Sequence, residues 1–309
     1  MGLSRRGFLL GVLGAVGCSY TGPSGRVRIA AGEAGGFYVE FARLLAGEMN
    51  AAEPELRVEV VETLGSVMNI ARISAGEAEL GLVLADTLAA ARAGSPPFHS
   101  PIDLTALGRV YENYMQLVVR ADSPIHALSD LSSHHVSLGA SGSGAALFGE
   151  RLVTTAGVPV VVDHHPLAEA TSALRNGRVQ ALLWSGGLPT PALTDLDNAI
   201  GIRLLDLAAY APTLRSHYGP VYDAVTIPAN TYRSPTPTTT IGVPNLLVPN
   251  PALPTPTIRT TVRVLVDQAT HLVPQQALGT QYLDVRSLID TIPAPLHPAA
   301  AAMYRDLRG

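Results

Sequence analysis

The sequence contains no lysine, one cysteine and one tryptophan, and aromatic residues make up only 5% of its 309 positions. Its formal net charge is −4, and no run of basic residues occurs. Proteins that bind nucleic acid need clustered positive charge, so this composition argues against nucleic acid as a partner. The single cysteine, Cys18, cannot form a disulfide within the chain. Arginine therefore takes the place of lysine at every position. We interpret this as codon bias and not as selection for the chemistry of the guanidinium group.

The sequence also lacks an apolar run long enough to cross a bilayer, which takes about 20 residues. An apolar stretch near the start, residues 8–16, follows the basic pair Arg5 and Arg6 and precedes small residues and Cys18. That order predicts a signal peptide, and the alternative is an apolar helix packed on the core. We expect residues 1–25 to comprise the signal peptide, its processing site and a short linker.

Two short motifs refine this expectation. Residues 4–9 (SRRGFL) resemble the twin-arginine export motif, and residues 15–18 (AVGC) resemble a lipobox. In a lipobox the cysteine is acylated and becomes the new N-terminus. The sequence therefore predicts an extracytoplasmic protein that is anchored to the cell membrane by a lipid on Cys18.

Strand and helix patterns alternate along the rest of the chain, which predicts an α/β protein with parallel strands. The predicted strands cover 26–31, 57–63, 80–86, 106–120, 181–186, 222–232 and 238–248. The predicted helices cover 38–50, part of 65–80, 168–176 and 258–272, and residues 135–158 repeat the order of strand, glycine-rich turn and helix.

This order divides the chain into two α/β lobes that are joined by two crossing strands. We expect one lobe to comprise residues 26–112 and 228–309 and the other to comprise residues 113–227. The first crossing would occur in the strand 106–120, and residues 222–232 would carry the chain back. In open α/β sheets, ligands bind beyond the carboxyl ends of the parallel strands, so a cleft between the lobes is the expected binding site.

Two glycine-rich turns lie at such strand ends, in residues 31–38 (AGEAGGFY) and 139–145 (GASGSGA). Glycine lets the backbone approach another group closely, and each turn precedes a predicted helix. The N-terminus of a helix carries partial positive charge and free N–H groups, which suit a carboxylate or a phosphate. The turns therefore predict binding of a small anion by main-chain donors.

Several motifs, taken in order, resemble the solute-binding subunits of TRAP transporters of the TAXI type (TRAP-associated extracytoplasmic). Residues 31–38 resemble the family's T-G-G-x-G-G-x-Y-Y, and residues 62–69 (ETLGSVMN) match T-x-G-S-x-x-N. Residues 75–81 (AGEAELG) follow its SGEADLG, and residues 139–145 resemble G-x-x-G-S-G-T. The later stretches IPANTY and PLHPAA are also typical of the family. The resemblance extends over nearly all of the chain after the signal peptide.

The resemblance implies a periplasmic-binding-protein fold of type II, with two α/β lobes that close on a small carboxylate or amino acid such as glutamate or glutamine. It also implies TRAP membrane subunits as partners. Two departures concern the ligand. Leu84 stands where the family often has glutamine, and Glu33 and Ala34 place a carboxylate in the first glycine-rich turn, where it would repel an anion.

The turns, the strand ends and the matched motifs give one set of candidate ligand-binding positions. They are Glu33, Ala34, Gly35, Gly36, Phe37, Tyr38, Ser66, Asn69, Asp86, Ser141, Gly142, Ser143, Gly144, Ser185 and Gly186.

Each candidate also has a structural interpretation, and the glycines and serines of the two turns can simply shape those turns. Ser66 caps a helix, contacts the ligand through its hydroxyl, or does both, and Asn69 pairs with either backbone or ligand. Asp86 either holds a ligand ammonium or caps a helix. Trp184 forms either a wall of the cleft or part of the core, and Tyr111 either packs over the ligand or fills the core.

Enzymatic function is not favoured by the sequence. Ser141 lies in G-A-S-G-S, which lacks the second glycine of the hydrolase elbow. The pairs 134–135 and 164–165 are adjacent histidines, which point to opposite faces of a strand and cannot chelate one metal together. Residues 32–36 have the wrong spacing for dinucleotide binding, so no cofactor is expected. The alternative to a transport role is a binding protein that senses its ligand for a membrane receptor or sensor kinase.

Overall fold

The computed structural model describes residues 22–274 and 283–308. Its strands are β1 Gly25–Ala30, β2 Leu56–Val61, β3 Leu80–Leu84, β4 Gly108–Arg120, β5 His135–Ser137, β6 Val161–Asp163, β7 Ala181–Gly186, β8 Ile202–Leu205, β9 Asp223–Ile227 and β10 Thr238–Pro249. Its helices are α1 Phe37–Ala52, α2 Ser66–Ser74, α3 Ala85–Ala93, α4 Gly144–Ala156, α5 Leu167–Arg175, α6 Pro191–Ile200, α7 Ala211–Tyr218, α8 Thr255–Asp267, α9 Val285–Leu288 and α10 Pro298–Arg308.

The strands form one mixed sheet in the order β2-β1-β3-β10-β4-β7-β5-β6, with β8 paired to β4 and β9 paired to β10. Strand β1 is parallel to β2 and β3, and strand β5 is parallel to β6 and β7. We call β1–β3 with α1–α3 the first half, and β5–β8 with α4–α7 the second half. Each half repeats the β-α-β order that the sequence predicted, and the predicted α/β class is confirmed.

Two long antiparallel strands, β4 and β10, connect the halves. Residues 108–114 of β4 pair with β10, and residues 114–119 of the same strand pair with β7. In β10, residues 238–242 pair with β9, and residues 245–249 pair with β3 of the first half. The returning strand is therefore β10. The prediction that residues 222–232 carry the chain back was wrong, because β9 only forms an antiparallel pair with β10.

Helix α1 packs on the sheet because its apolar side chains recur at helical spacing. Phe41, Leu45 and Met49 are fully buried on this face, and Leu44 packs at its margin. Burying one such side chain stabilises the fold by about 1.5–3 kcal/mol. A second core cluster contains Ile70 of α2 as well as residues of the second half, so the two halves share buried surface.

The strand predicted over 80–86 was wrong at its end. The strand β3 ends at Leu84, and helix α3 begins at Ala85 with no intervening turn. No glycine or proline marks this junction, and the apolar pattern runs straight from the strand into an alanine-rich helix. Asp86 consequently lies in the first turn of α3 rather than at the end of a strand.

Within residues 22–274 and 283–308, no helix combines the length and apolar character that crossing a membrane requires. The same residues contain no cluster of three or more histidine, cysteine or acidic side chains that could hold a metal ion. The predicted export motif and the lipobox with Cys18 lie outside the described residues.

Candidate functional site

Three helices begin at one cleft between the two halves. Helices α1 and α2 belong to the first half and α4 to the second. The cleft has a cavity volume of about 40 Å³, and the empty space between its walls is about 440 Å³ when open solvent at the mouth is included. It is lined by Gly32, Glu33, Gly36, Phe37, Tyr38, Leu64, Gly65, Ser66 and Leu84 from the first half, by Asn113 of β4, and by Ser143, Gly144, Ala145, Trp184, Ser185 and Gly186 from the second half.

The start of each helix supplies main-chain donors to this cleft. The first N–H groups of a helix have no partner within the helix, and the helix dipole makes that end partly positive. The first two residues of each of the three helices are Phe37 and Tyr38, Ser66 and Val67, and Gly144 and Ala145; all of them except Val67 line the cleft. No arginine or histidine lines it among the described residues. The arrangement therefore suits an anionic group that is bound by the backbone.

The halves meet closely where α2 and α4 begin. The Met68 N–H donates a hydrogen bond to the Gly142 carbonyl oxygen at 3.1 Å, across the boundary between them. A Cβ atom at position 144 would lie 2.6 Å from Leu84 Cδ1 and 2.8 Å from Ser66 Oγ. Gly65 has φ +120°, a value that favours glycine. These contacts describe a closed arrangement, in which the absence of a side chain lets the two helix ends approach.

Trp184 forms part of the cleft wall and also belongs to the core. It is 8% exposed, and its indole Nε1 donates a hydrogen bond to Thr190 Oγ1 at 3.0 Å. A Cβ atom on Gly36 would lie 3.6 Å from the far edge of the indole ring, so the first glycine-rich turn packs against this residue of the second half. Both alternatives that the sequence left open for Trp184 are realised together.

A buried polar network fixes the side chains beneath α1 and α2. Ser66 Oγ accepts a hydrogen bond from the Leu84 N–H at 3.0 Å and lies 3.3 Å from the Tyr38 hydroxyl. The Tyr38 hydroxyl in turn donates to Asn245 Oδ1 of β10. Burial raises the pKa of Tyr38, so the phenol stays protonated. The Gly65 residue, rather than Ser66, precedes the first turn of α2, and the Ser66 hydroxyl holds β3 in place instead of capping the helix.

Glu33 links the two halves. Its Oε2 accepts a hydrogen bond from the Leu167 N–H at 2.6 Å, at the start of α5 in the second half. Burial raises the pKa of this carboxyl, the Leu167 N–H opposes that effect, and the nearby Glu169 adds to it. The carboxylate that was expected to repel an anion is therefore engaged with a helix N-terminus across the cleft.

Asn113 and Ser185 form the floor of the cleft, where β4 pairs with β7. Asn113 Nδ2 donates a hydrogen bond to Ser185 Oγ at 2.9 Å. Ser185 was among the positions predicted from the sequence, and Asn113 was not. No local motif marks Asn113, because it lies inside a long strand; the only signal was a polar residue in the crossing segment.

The candidates at the edges of the glycine-rich turns do not line the cleft. Ala34 and Gly35 are exposed and border neighbouring surface grooves. Ser141 is exposed, and Gly142 is engaged through its carbonyl oxygen with Met68. Of the first turn, Gly32, Glu33, Gly36, Phe37 and Tyr38 line the cleft.

Asn69 is buried and holds the backbone together. Its Nδ2 donates to the carbonyl oxygens of Ala31 at 2.5 Å and Leu82 at 2.7 Å. Its Oδ1 accepts a hydrogen bond from Thr63 Oγ1 at 2.6 Å. The first of the two alternatives for Asn69, pairing with backbone, is the one observed.

Asp86 lies away from the cleft, in a buried cluster between α3 and α4. Its Oδ2 accepts a hydrogen bond from the Tyr222 hydroxyl at 3.1 Å and lies 3.7 Å from Arg151 Nη1. Complete burial raises the pKa of Asp86, and the arginine opposes that effect. Arg151 also donates to the Tyr222 hydroxyl at 2.9 Å, which makes the three side chains one network.

Comparison with known proteins gives a family and a fold. A family model described as the NMT1-like family matches residues 29–307. The periplasmic binding protein BugD superimposes with a TM-score of 0.57 at 16% identity, over 93% of this chain and 97% of that chain. A structure described as a periplasmic transporter gives a TM-score of 0.53 at 15% identity, over 93% of both chains.

The alkanesulfonate-binding protein SsuA from Xanthomonas axonopodis pv. citri, bound to MOPS, gives a TM-score of 0.50 at 15% identity, over 92% of this chain and 84% of that chain. At these identities the likeness concerns the fold. The predicted fold class, that of the periplasmic binding proteins, is confirmed.

Proposed function

This chain belongs to the NMT1-like family, and we propose that it is the extracytoplasmic solute-binding subunit of a TRAP transporter of the TAXI type. Its ligand is a small carboxylate or amino acid, such as glutamate or glutamine, which it delivers to TRAP membrane subunits. The periplasmic-binding-protein fold and the motifs in residues 31–38, 62–69, 75–81 and 139–145 support this assignment.

The observation that carries the proposal is the convergence of three helix N-termini from both halves on one cleft. The ends of α1 and α2 belong to one half and the end of α4 to the other. An anionic group bound there interacts with both halves at once. A ligand that contacts both sides stabilises the closed arrangement relative to the open one, which is how a binding protein couples capture to a change of shape.

The chemistry of the cleft is that of binding rather than reaction. No histidine lies in the described lining beside its serine hydroxyls, which are those of Ser66, Ser143 and Ser185, and the one carboxylate there, that of Glu33, is engaged with the Leu167 N–H. Ser143 Oγ accepts a hydrogen bond from the Ala146 N–H at 3.0 Å and caps α4. A serine nucleophile needs an adjacent base, so we assign these hydroxyls to ligand contact and helix capping.

A thermal-shift screen tests the ligand class. The mature protein is heated with L-glutamate, L-glutamine, 2-oxoglutarate or succinate, and with glucose and spermidine as solutes of other classes. A ligand that binds only the folded state at a hundred times its Kd stabilises it by about 2.7 kcal/mol, which raises the melting temperature by several degrees. Titration calorimetry then gives the Kd. Stabilisation by none of the carboxylates or amino acids would contradict the proposal.

The lipid anchor is tested separately, because it depends on Cys18, which lies outside the described residues. Cys18→Ser is expected to move the protein from the membrane fraction to the soluble extracytoplasmic fraction, with ligand binding unchanged. Arg5→Lys with Arg6→Lys in the same precursor is the test for twin-arginine export. A Cys18→Ser protein that stays in the membrane fraction would argue against the anchor without touching the assigned ligand class.

A further inference from the structure

The floor of the cleft carries a polar pair that neither the motifs nor the family assignment explains. Asn113 lies on β4 at the point where that strand passes from β10 to β7, and it is 2% exposed. Its Nδ2 donates to Ser185 Oγ at 2.9 Å, so the two strands hold the amide in one orientation. Both residues line the cleft.

The amide oxygen of this pair has no partner. Asn113 Oδ1 is buried, and within the part of the chain that the structure describes no hydrogen-bond donor reaches it. Leaving a buried acceptor unpaired costs about 1–3 kcal/mol, and native proteins rarely tolerate it without a reason. A residue that lines a binding cleft has such a reason when a bound solute supplies the missing hydrogen bond.

The charge around the floor limits what that solute can present. Glu33 is the sole charged side chain in the described lining, and its Oε2 is engaged with the Leu167 N–H. Trp184 and Gly186 flank Ser185 on β7 and are uncharged. A charged group buried beside this floor would lose its hydration without gaining a counter-ion, which is strongly unfavourable. A neutral group that hydrogen bonds an amide carries no such penalty.

We infer that Asn113, held by Ser185, determines the specificity of the cleft by binding a neutral hydrogen-bonding group of the solute, an amide or a hydroxyl. The single carboxylate of the solute then lies at the helix N-termini. This inference rests on the proposed function as a solute-binding protein. It separates the two amino acids named there, because glutamine ends in a neutral amide and glutamate in a second carboxylate.

The test compares matched solutes by calorimetry. The pairs are L-glutamine with L-glutamate, L-asparagine with L-aspartate, and 4-hydroxybutyrate with succinate; the last pair carries no amino group. Wild type is expected to bind the neutral-ended member of at least one pair about tenfold more tightly than its dicarboxylate partner. Asn113→Leu keeps roughly the volume of the side chain but removes the amide. It is expected to make the two Kd values of such a pair equal, because binding of the neutral-ended member weakens about tenfold.

Two further variants separate recognition from structure. Gln116, three residues along β4, is equally buried, but its amide accepts from Tyr232 and does not line the cleft. Gln116→Leu is expected to lower stability while leaving the ratio within each pair unchanged. Ser185→Ala removes the partner of Asn113, and a smaller, several-fold reduction of the ratio is expected.

The outcomes distinguish this inference from the function on which it rests. Tighter binding of the dicarboxylate members overturns the inference and leaves the solute-binding function standing. Equal weakening of both members of a pair by Asn113→Leu also overturns it, because a purely structural residue would act in that way. Failure of all six solutes to bind overturns both.

Discussion

Glu33 of the first half accepts a hydrogen bond from the main-chain N–H of Leu167, the first residue of α5 in the second half. The contact spans 134 positions of the sequence and closes one side of the cleft. Hydrogen bonds that join the two halves exist only while the halves are together. This contact therefore favours the closed arrangement whether or not the carboxylate touches a solute.

Replacing Glu33 with alanine is expected to weaken the binding of every solute by a similar factor, about fivefold. The closed arrangement loses a charge-assisted hydrogen bond, and the net value of that bond is reduced because the carboxylate is buried. Calorimetry on the three solute pairs measures it. Glu62→Ala is the matched control, because Glu62 follows the neighbouring strand and pairs with the exposed Arg43. Selective strengthening of dicarboxylate binding would instead indicate that Glu33 repels the solute directly.

Trp184 is the only tryptophan in the chain and lies in the wall of the cleft. Its fluorescence is therefore expected to change in a saturable way when a solute binds, with the same Kd that calorimetry gives. Trp184→Phe should lose the signal and keep binding within about tenfold, since the ring still fills the wall. A solute that binds by calorimetry without altering the emission of Trp184 would show that the binding site lies elsewhere.

Gly144→Ala is expected to weaken solute binding, because its methyl group would overlap Leu84 Cδ1 and Ser66 Oγ in the closed arrangement. Overpacking of this kind costs about 1–3 kcal/mol, and opening of the cleft relieves it, so stability without ligand should change less than affinity. Gly47→Ala is the matched control. Gly47 lies in α1 with no atom near its Cβ position, and alanine there should raise stability by up to about 1 kcal/mol. Equal effects of the two substitutions on affinity would contradict the closed arrangement.

Asp86→Asn is expected to lower the free energy of unfolding by about 3 kcal/mol, because it leaves Arg151, whose side chain is 10% exposed, without its buried counter-ion. Urea unfolding measures this. Tyr222→Phe removes the two hydrogen bonds that the hydroxyl makes, to Asp86 and from Arg151, but keeps the ion pair, and should cost about 2 kcal/mol. Preferences among solutes should be unchanged in both variants. A change of preference in the Asp86 variant would restore the alternative role in which Asp86 holds a ligand ammonium.

Glu112 gives the fold a pH dependence. Burial raises its pKa to about 7, and the nearby Arg109 only partly opposes this effect. Because the pKa is raised on folding, the folded state binds the proton more tightly than the unfolded chain. The stability that this proton binding contributes is fully present below pH 4.5, the ordinary pKa of a glutamate, and is lost as the pH rises to about 7.

Relative to Glu112→Gln, the wild type is therefore expected to lose on the order of 3 kcal/mol of stability between those pH values. Urea unfolding across the range checks this, with the exposed Glu55→Gln as control. Parallel stability curves for wild type and Glu112→Gln would mean that the carboxyl titrates normally.

Local patterns in the sequence were enough to predict the strands and helices around the two glycine-rich turns. The helical spacing of the apolar residues in α1 is a local feature, and so are the glycines that precede α1 and α4. Each can be recognised within a few residues of sequence. The end of β3 was missed, because the strand and α3 share one apolar run that no turn residue interrupts.

The cleft itself depends on contacts that no short segment encodes. Gly36, Ser66 and Ser143 were predicted from turns and helix starts, which are local features. Asn113 was missed because its place in the cleft depends on its hydrogen bond to Ser185, which lies 72 positions later in the sequence. The strands of these two residues are neighbours only through the strand order of the sheet. The network of Asp86 was not predicted for the same reason, since Tyr222 lies 136 positions away.

The approach of α2 to α4 at Gly144 has a practical consequence for engineering. At that place the gap between the halves is set by main chain against Leu84 and Ser66, and glycine has no side chain left to shorten. Variant libraries designed to bind a larger solute cannot widen the cleft by substitution at position 144. They have to vary Leu84 and Ser66 opposite it, or the residues along the bottom of the crevice.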